Sequence, residues 1–377
     1  MYLSRFSLYP PSSIFYRLLY LLSETGSDLR TWTYCLIFLY PYSNHQHGLV
    51  HLLPLFPIIR HPPYPTHDFT NQTIIITGSN TGLGLEAARH VSRLNAHLLI
   101  LAVRSQSKGQ DAKTSILAST GRPESSIEVW SLDMQSPSSI QDFCSKANKL
   151  PRIDAVLANA GIMTKYFKLV EGHESTVMTN VIGTFQLVFG LLPKLKDSAK
   201  EFDIQPRVSI VASDLHFIAK FKEAKEKEIF KALNDEKTSE LDLERYATTK
   251  LLQVFGVREL AQKLTRDSDS VSPSVIANCM TPGACKSDFH REDQGFDKFK
   301  KWLLSALLAR STEAGSRTLV AGIAAGRKVM GNIWRIVWWL SMTGPLVRGP
   351  EGMKLQKKVW DQLMTELEKI QPGVSSN

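Results

Sequence analysis

The chain has 377 residues, a net charge of +9 and four cysteines. Hydrophobic residues make up 43% of it and charged residues 21%, which excludes a wholly disordered chain and suffices for one large or two ordinary domains. Four cysteines without a C-x-x-C motif exclude a disulfide scaffold and a cysteine-rich zinc module. The basic excess indicates an anionic partner, which is nucleic acid, a membrane surface or a phosphorylated cofactor.

The first 66 residues differ in composition from the rest of the chain. Tyrosines are concentrated there, and the first lysine of the chain is Lys108. Short apolar bursts alternate with breakers such as Pro54 and Pro57, and none reaches the roughly 18 apolar residues of a spanning helix. We interpret residues 1–66 as an irregular N-terminal extension and residues 67–377 as one folded domain. A membrane-associating leader is the alternative, so the location, in the cytoplasm or on the cytoplasmic face of a membrane, stays open.

From residue 73 onwards, apolar runs of strand length alternate with amphipathic stretches. Strands are predicted over Thr73–Thr77, His97–Val103, Ile127–Leu132, Ile153–Ala158, Arg207–Ala212 and Ser274–Cys279. Helices are predicted near Leu83–Asn95, Ser107–Thr120, Ser138–Lys149, Glu171–Leu192 and Tyr246–Leu264. This alternation predicts an α/β domain, a doubly wound parallel sheet with helices on both faces. The charge-rich segment 214–245 is predicted to be a solvated, helix-rich excursion.

A glycine-rich turn joins the first strand to the first helix. Its spacing is G-x-x-x-G-x-G, formed by Gly78, Gly82 and Gly84. Glycines allow a tight turn and close approach to a pyrophosphate, while the helix N-terminus offers N–H donors and a partial positive charge. We therefore assign Gly78, Asn80, Gly82, Leu83 and Gly84 to dinucleotide binding, although a purely structural turn is the alternative.

The end of the second strand distinguishes between nicotinamide cofactors. NAD sites usually carry an acid there, whereas this strand has Ala102, followed by Arg104 and Lys108. Cationic side chains without an acid suit a 2′-phosphate, so NADP(H) is favoured over NAD. The alternative is that both are solvated loop charges. No basic stripe with interleaved aromatics is present, so we expect no nucleic-acid partner.

Two further strand ends carry polar residues. Asp133 follows the third strand, where its carboxylate could accept a hydrogen bond from the adenine amino group. Asn159, Ala160 and Gly161 follow the fourth strand, where small residues permit close approach to a cofactor and Asn159 could pin neighbouring strands. Either polar residue could instead be an ordinary turn residue.

Tyr246 and Lys250 are four residues apart and share a helix face. A free phenol has a pKa near ~10, and a neighbouring cation lowers it, which makes the tyrosine a competent general acid or base. Tyr166, the other tyrosine after residue 72, has Val170 at the corresponding position and lacks this support.

Two polar residues are candidates to assist Tyr246. Ser213 ends the strand Arg207–Ala212, and parallel sheets bind ligands beyond their carboxyl ends, so it could hydrogen-bond a substrate oxygen as charge develops. Asn180 lies within an apolar helix, which indicates either a water relay or a satisfied buried amide.

In this order, these motifs resemble those of the short-chain dehydrogenase/reductase superfamily. The resemblance covers roughly residues 68–290, and the last of its matching motifs is Pro282-Gly283. The retinol-dehydrogenase-like branch, and its filamentous-fungal members in particular, is similar over residues 77–89, residues 101–104 and the ending at residues 360–373. Residues 1–66 and the tryptophan-containing stretch 332–340 do not resemble the family.

The resemblance implies a Rossmann-like fold and a Ser–Tyr–Lys catalytic set. By position, Ser213 would orient the carbonyl, Tyr246 would exchange the proton, Lys250 would hold the nicotinamide ribose, and Asn180 would assist. Asp133 and Asn159 would contact the adenosine half of the cofactor. Ser287 would border the nicotinamide. No metal site is assigned.

We therefore expect an NADP-dependent oxidoreductase that moves hydride between the nicotinamide and a carbonyl or alcohol of a small molecule. Trp334 and Trp338 could line an apolar pocket, contact a membrane or simply pack, and the first of these favours an apolar substrate. The fungal resemblance favours a natural-product pathway. Two alternatives stay open. One is a non-catalytic NADP-binding sensor or scaffold, and the other is a membrane-anchored dehydrogenase of retinoids or lipids.

Overall fold

The chain divides into two units, with the boundary between Arg60 and His61. The structure, a computed structural model, describes part of the second unit, namely residues 62–266, 274–286, 309–326, 333–334, 345–347 and 349–374. The predicted extension 1–66 therefore lies outside the described residues except for its last five. Ser287 and the tryptophan-containing stretch also lie outside them, apart from the backbone of residues 333 and 334.

A parallel sheet forms the centre of the described domain. Its main strands are β1 (Thr73–Thr77), β2 (Leu98–Val103), β3 (Ile127–Ser131), β4 (Ala155–Ala158), β7 (Arg207–Val211) and β8 (Ile276–Met280). They lie in the order β3-β2-β1-β4-β7-β8, and the two-residue β9 (Ile333–Trp334) adds in parallel beside β8. All six predicted strands are confirmed, with ends that differ by no more than two residues. The order reverses direction between β1 and β4, where ligands of such sheets bind.

Helices flank the sheet on both faces. They are α1 (Gly82–Arg93), α2 (Gln106–Thr120), α3 (Pro137–Ala147), α4 (Ser175–Phe202), α5 (Ile229–Leu233), α6 (Leu243–Arg266), α7 (Thr312–Ala324) and α8 (Gly349–Ile370). Alternate strand residues point to opposite faces. Ile74 and Ile76 therefore pack with α1, α2 and α7, whereas Ile75 packs in the layer of α3, α4, α6 and α8. The predicted Rossmann-like, doubly wound architecture is confirmed.

The region predicted as the helix 171–192 differs from the structure. A short hairpin comes first, β5 (Leu169–Val170) and β6 (His173–Glu174), which turns through Glu171 and Gly172 at φ +51° and +80°. Helix α4 then runs for 28 residues and continues through Pro193 because its packing in the core outweighs the local cost of proline. Its length and hydropathy would suit a membrane span, but its most apolar 18-residue window is entirely buried within the domain.

The charged segment 214–245 is only partly solvated. It contains two 3₁₀ turns, Asp214–Phe217 and Lys222–Lys225, in addition to α5. Its last residue, Arg245, is fully buried, with ion-pair distances of 3.8 Å to Glu174 and 3.2 Å to Glu223. Burial of a charge requires paired partners: Glu223 belongs to the same segment, and Glu174 connects the segment to the start of α4.

Candidate active site

The glycine loop has the backbone that its sequence predicts. Gly78 and Gly82 have φ values of +63° and +58°, a region in which side chains are strained. A Cβ on Gly84 would lie 2.4 Å from the main-chain oxygen of Gly78, so only glycine fits where α1 starts. A Cβ on Gly82, by contrast, would meet no described atom within 4 Å. The loop is therefore tightly packed between Gly84 and Gly78, whereas the space beside Gly82 is open.

Asn159 connects the end of β4 to the end of β1. Its Nδ2 donates to the main-chain oxygens of Thr77 and Gly78 at 2.9 and 3.2 Å. The main-chain N–H groups of Asn159 and Ala160 donate to Thr77 Oγ1 at 3.0 and 2.9 Å. These bonds hold the two strand ends at the switch point together, as expected for a residue that pins neighbouring strands.

Arg104, Lys108 and Asp133 lie at the same carboxyl edge of the sheet. Arg104 directly follows β2 and is exposed, and Ser105 caps α2 by accepting from the backbone N–H of the exposed Lys108. Asp133 follows β3 and is half-buried, and its Oδ1 accepts from the N–H of Gln135 at 2.9 Å. The structure thus brings these three predicted residues to one edge of the sheet.

Tyr246 and Lys250 lie on α6, and both side chains are buried. Lys250 Nζ is 5.3 Å from the centroid of the Tyr246 ring. It donates to the main-chain oxygen of Val211 at 2.7 Å and to Gln253 Oε1 at 3.0 Å. Because Val211 is the last residue of β7, these bonds bring the tyrosine–lysine pair to the carboxyl edge of the sheet.

Burial dominates the titration of this pair. It lowers the pKa of Lys250 from 10.5 to about 7 and raises the pKa of Tyr246 above its ordinary value. The sequence alone predicts a tyrosine pKa lowered by the ammonium, but loss of solvent penalises both charged forms more strongly.

Ser213 lies two residues after β7, at the start of the turn Asp214–Phe217, which packs against α6. It is half-buried and extended, and its Oγ accepts from the N–H of Leu215 at 3.2 Å. The Val211 oxygen that binds Lys250 is only two residues away in the chain. Lys250 therefore binds the main chain that leads directly into Ser213.

Asn180 is a satisfied buried amide. Its Oδ1 accepts from the N–H of Ile162 at 2.9 Å, and its Nδ2 donates to Ile162 O at 2.9 Å and to Thr249 Oγ1 at 3.1 Å. It lies in the π-helical turn Met178–Ile182 of α4. The side chain thus fixes the loop after β4 to α4 and α6, which is the alternative to a water relay.

The loop after β4 also approaches the lysine. A Cβ on Gly161 would lie 3.1 Å from Asn180 Oδ1 and 3.7 Å from Lys250 Nζ. The loop after β8 begins beside the end of β7, since Val211 pairs with Met280 in the sheet. The ends of β4, β7 and β8 therefore lie side by side at the carboxyl edge of the sheet.

Two residues of this site were not predicted from the sequence. Gln253, one turn beyond Lys250, binds its ammonium, and Thr77 accepts the two N–H groups that follow β4. The available signal for Gln253 was a polar residue within the buried apolar run 251–257. Thr77 is the last residue of a strand that is otherwise isoleucine from residue 74 onwards.

The residues at this edge fit a dinucleotide. The open space at Gly82, at the N-terminus of α1, leaves room for a phosphate beside the N–H groups of that helix end. Exposed Arg104 and Lys108 supply cations beside it, while the buried Lys250 lies at the other end of the site. The fold and this site together define an α/β nucleotide-binding protein of the Rossmann-like class.

Comparison with known proteins narrows this class. The profile of the short chain dehydrogenase family matches residues 72–204. The chain is 45% identical over 316 residues to the short-chain dehydrogenase anuD of Penicillium roqueforti, covering 83% of this chain and 82% of that protein. It is also 41% identical over 319 residues to a short chain dehydrogenase/reductase of Cryptosporiopsis, covering 84% and 96% of the two chains.

Solved structures share the fold at lower identity. An uncharacterized protein from Mycobacterium paratuberculosis matches with a TM-score of 0.58 at 23% identity, over 81% of this chain and 95% of that one. A gluconate 5-dehydrogenase from Beutenbergia cavernae, described with bound NADP, matches with a TM-score of 0.54 at 16% identity, over 72% and 97%. The chain thus belongs to the short-chain dehydrogenase/reductase family, whose enzymes use a nicotinamide cofactor and act on small molecules.

Proposed function

We propose that residues 67–377 form an NADP-dependent oxidoreductase domain that interconverts a carbonyl and an alcohol in an apolar small molecule. The observation that carries this proposal is the burial of Tyr246 and Lys250 on one face of α6, against the end of β7. An exposed Y-x-x-x-K match would be a surface accident. A buried lysine bonded to the strand end that precedes Ser213 is typical of a built site.

Tyr246 carries the proton transfer in this proposal. In reduction, its hydroxyl passes a proton to the substrate oxygen, and in oxidation the phenolate takes it back. Burial makes the phenolate costly, and the Lys250 ammonium, 5.3 Å from the ring centroid, offsets that cost. Ser213 Oγ accepts from Leu215, so its own proton can be donated to the developing oxyanion.

The cofactor assignments follow the carboxyl edge of the sheet. Bound nicotinamide supplies or accepts the hydride. The pyrophosphate would lie on the glycine loop, the adenosine half against Asp133 and Asn159, and the nicotinamide ribose against Lys250. An ammonium has three donors, and two of those on Lys250 bind Val211 and Gln253, so one can bind a ribose hydroxyl. Ser287 is proposed to border the nicotinamide, although it lies outside the described residues.

The preference for NADP rests on the end of β2. Ala102 is buried in the strand, and the first charged residue after it is the exposed Arg104, followed by Lys108. A carboxylate that could bind a free 2′-hydroxyl is absent from this stretch of the sequence. A guanidinium fork binds phosphate oxygens strongly, so this end of β2 favours the 2′-phosphate of NADP.

The substrate class rests on composition and on similarity. The tryptophan-containing stretch near the C-terminus favours an apolar ligand, and the fungal relatives favour a natural-product pathway, with a polyketide-like or terpenoid-like carbonyl compound as substrate. Both remain proposals for this chain. Turnover of a panel of aromatic and aliphatic ketones and aldehydes, compared with sugars, tests them directly.

The decisive experiment is Tyr246→Phe. Loss of the hydroxyl removes the proposed acid, so we expect kcat to fall by roughly 100- to 10,000-fold while NADPH binding, followed by fluorescence, is retained. Tyr166→Phe is the matched control because the Tyr166 side chain is 66% exposed, and it should leave kcat unchanged. Equal kcat values for wild type and Tyr246→Phe would sink the proposal. NADPH binding without turnover in the wild type would instead favour a cofactor sensor.

A further inference from the structure

Gln253 lies between two of the proposed catalytic residues. Its Oε1 accepts from Lys250 Nζ at 3.0 Å, and its Nε2 donates to the main-chain oxygen of Asn180 at 2.6 Å. The side chain is fully buried. One carboxamide therefore connects the ammonium on α6 to the π-helical turn Met178–Ile182 of α4 without intervening solvent.

We propose that Gln253 is a positioning residue for Lys250, whose carboxamide holds the ammonium in place and in its protonated form. The proposal deepens the function proposed above and rests on it. A buried ammonium without hydrogen-bond acceptors costs free energy, and each neutral acceptor that it binds stabilises its charged form. Gln253 Oε1 and Val211 O are the two acceptors that Lys250 meets among the described residues.

Few other groups can set the charge of Lys250. Tyr246 faces it from the same helix, and Cys279 faces it from β8. Burial raises the pKa of Cys279 to about 12, so its thiol stays neutral, and the cation Arg258 also acts on that thiol electrostatically. Within the described residues, Lys250 makes no ion pair with a carboxylate. Its protonation therefore depends on two neutral hydrogen-bond acceptors. One is the main-chain oxygen of Val211, and the other is the side chain of Gln253.

The bond to Asn180 gives this acceptor its orientation. A glutamine side chain can present either its oxygen or its amide nitrogen to a neighbour. Because the oxygen of Asn180 accepts only from N–H or O–H donors, it holds the Nε2 of Gln253 and leaves Oε1 facing Lys250. Residue 180 thus acts on the lysine through its main chain, in addition to the structural bonds of its side chain.

Two substitutions separate this role from simple packing. Gln253→Met keeps the approximate shape and removes both hydrogen bonds, so we expect the proton affinity of Lys250 to fall about tenfold. Gln253→Glu places a carboxylate beside the ammonium, so the proton affinity should rise by a similar factor. The full-length protein, labelled on lysine, reports this directly as the NMR titration of the Lys250 side chain, which the Lys250→Arg variant assigns.

Kinetics provide the second readout. In the Met variant the high-pH limb of kcat, where Lys250 loses its proton, should move to lower pH, and in the Glu variant it should move to higher pH. KM for the substrate should change by less than about twofold. Gln186→Met is the control, since Gln186 is also fully buried and its Nε2 donates to Pro137 O at 3.2 Å, away from the lysine.

The outcomes are distinct. Titration of Lys250 in both Gln253 variants at the wild-type midpoint would overturn the assignment, as would equal shifts in the Gln186 control. If the Met variant does not fold, Gln253→Leu takes its place, because loss of the acceptor lowers the proton affinity of Lys250 whereas a loss of packing that admits water raises it. A wild type without turnover, in which Lys250 still responds to Gln253, would contradict the proposed function and leave this assignment standing.

Discussion

Lys250 Nζ lies 2.7 Å from the main-chain oxygen of Val211, the last residue of the strand that leads into Ser213. This bond places a buried ammonium at the carboxyl edge of the sheet, where the pKa of Lys250 is lowered to about 7 by burial. The site is thus built around a charge that is costly to keep, and the stability of the domain should register that cost.

The first prediction concerns stability and pH. From pH 7 to pH 10.5 the unfolded chain holds a proton on Lys250 that the folded chain releases, so the lysine's contribution to the free energy of unfolding rises with pH. Lys250→Met removes this dependence. Urea unfolding across this range should therefore show a wild type that gains stability relative to the variant as the pH increases.

Lys149→Met provides the control for this measurement because Lys149 is exposed. Its curve should run parallel to that of the wild type at every pH. If the wild type and Lys250→Met also run parallel, the lysine does not titrate with a lowered pKa, and the linkage argument fails.

The second prediction compares two glycines of the same loop. A Cβ on Gly84 would lie 2.4 Å from the backbone oxygen of Gly78, so Gly84→Ala should destabilise the domain by about 3 kcal/mol or abolish folding. Gly82→Ala meets open space and carries only the strain of a positive φ, about 1–2 kcal/mol. It should fold but bind NADPH more weakly, because its methyl group enters the proposed phosphate cradle.

Melting temperatures and NADPH titrations of the two variants check this pair. A Gly82→Ala protein that binds NADPH as tightly as the wild type would remove the cradle from this position. A Gly84→Ala protein with wild-type stability would contradict the close approach of Gly84 and Gly78.

The third prediction concerns cofactor preference. Arg104→Ala should raise KM for NADPH about tenfold or more, since charge-assisted bonds to phosphate contribute roughly 1.5–3 kcal/mol, while KM for NADH stays the same. Lys149→Ala is the control, since it also removes an exposed cation of this domain, and it should leave KM for both NADPH and NADH unchanged. An unaltered ratio of NADPH to NADH efficiency in Arg104→Ala would refute the proposed phosphate site.

The fourth prediction concerns the start of the domain. Arg317 donates to the main-chain oxygen of Pro62 at 2.7 Å and stacks 3.6 Å from the centroid of the Tyr64 ring. A chain that begins at His61 should therefore melt about 2–4 °C higher than one that begins at His67, since these contacts contribute about 1 kcal/mol. Arg317→Ala should lower the melting temperature of the longer chain more than that of the shorter one.

Equal melting temperatures for the two truncated chains would contradict this prediction. Residues 62–66 would then add nothing to the stability of the domain, and its proposed start at residue 67 would stand. Both chains should keep NADPH binding, because the residues assigned to the cofactor all follow residue 77. Comparing the distribution of full-length and truncated protein between soluble and membrane fractions then tests the membrane-associating alternative for the first 66 residues.

Much of this architecture was predictable because it is encoded locally. Continuous β-branched residues predict strands such as β1. The helical periodicity of the sequence predicts the helix that carries Tyr246 and Lys250. The hairpin before α4 was missed because its strands are two residues long and depend on the turn at Gly172. The burial of Arg245 was missed because its charge is compensated by carboxylates that lie 22 or more positions away in the chain.

By itself, the sequence determined the order of strands and helices, the glycine loop, and a tyrosine and lysine on one helix face, since each depends on spacing within a few residues. Only the tertiary structure decided how these groups act on one another. Asn180 and Gln253 meet across 73 positions of the chain. The burial that lowers the pKa of Lys250 is likewise a sum over distant elements, which no local pattern records.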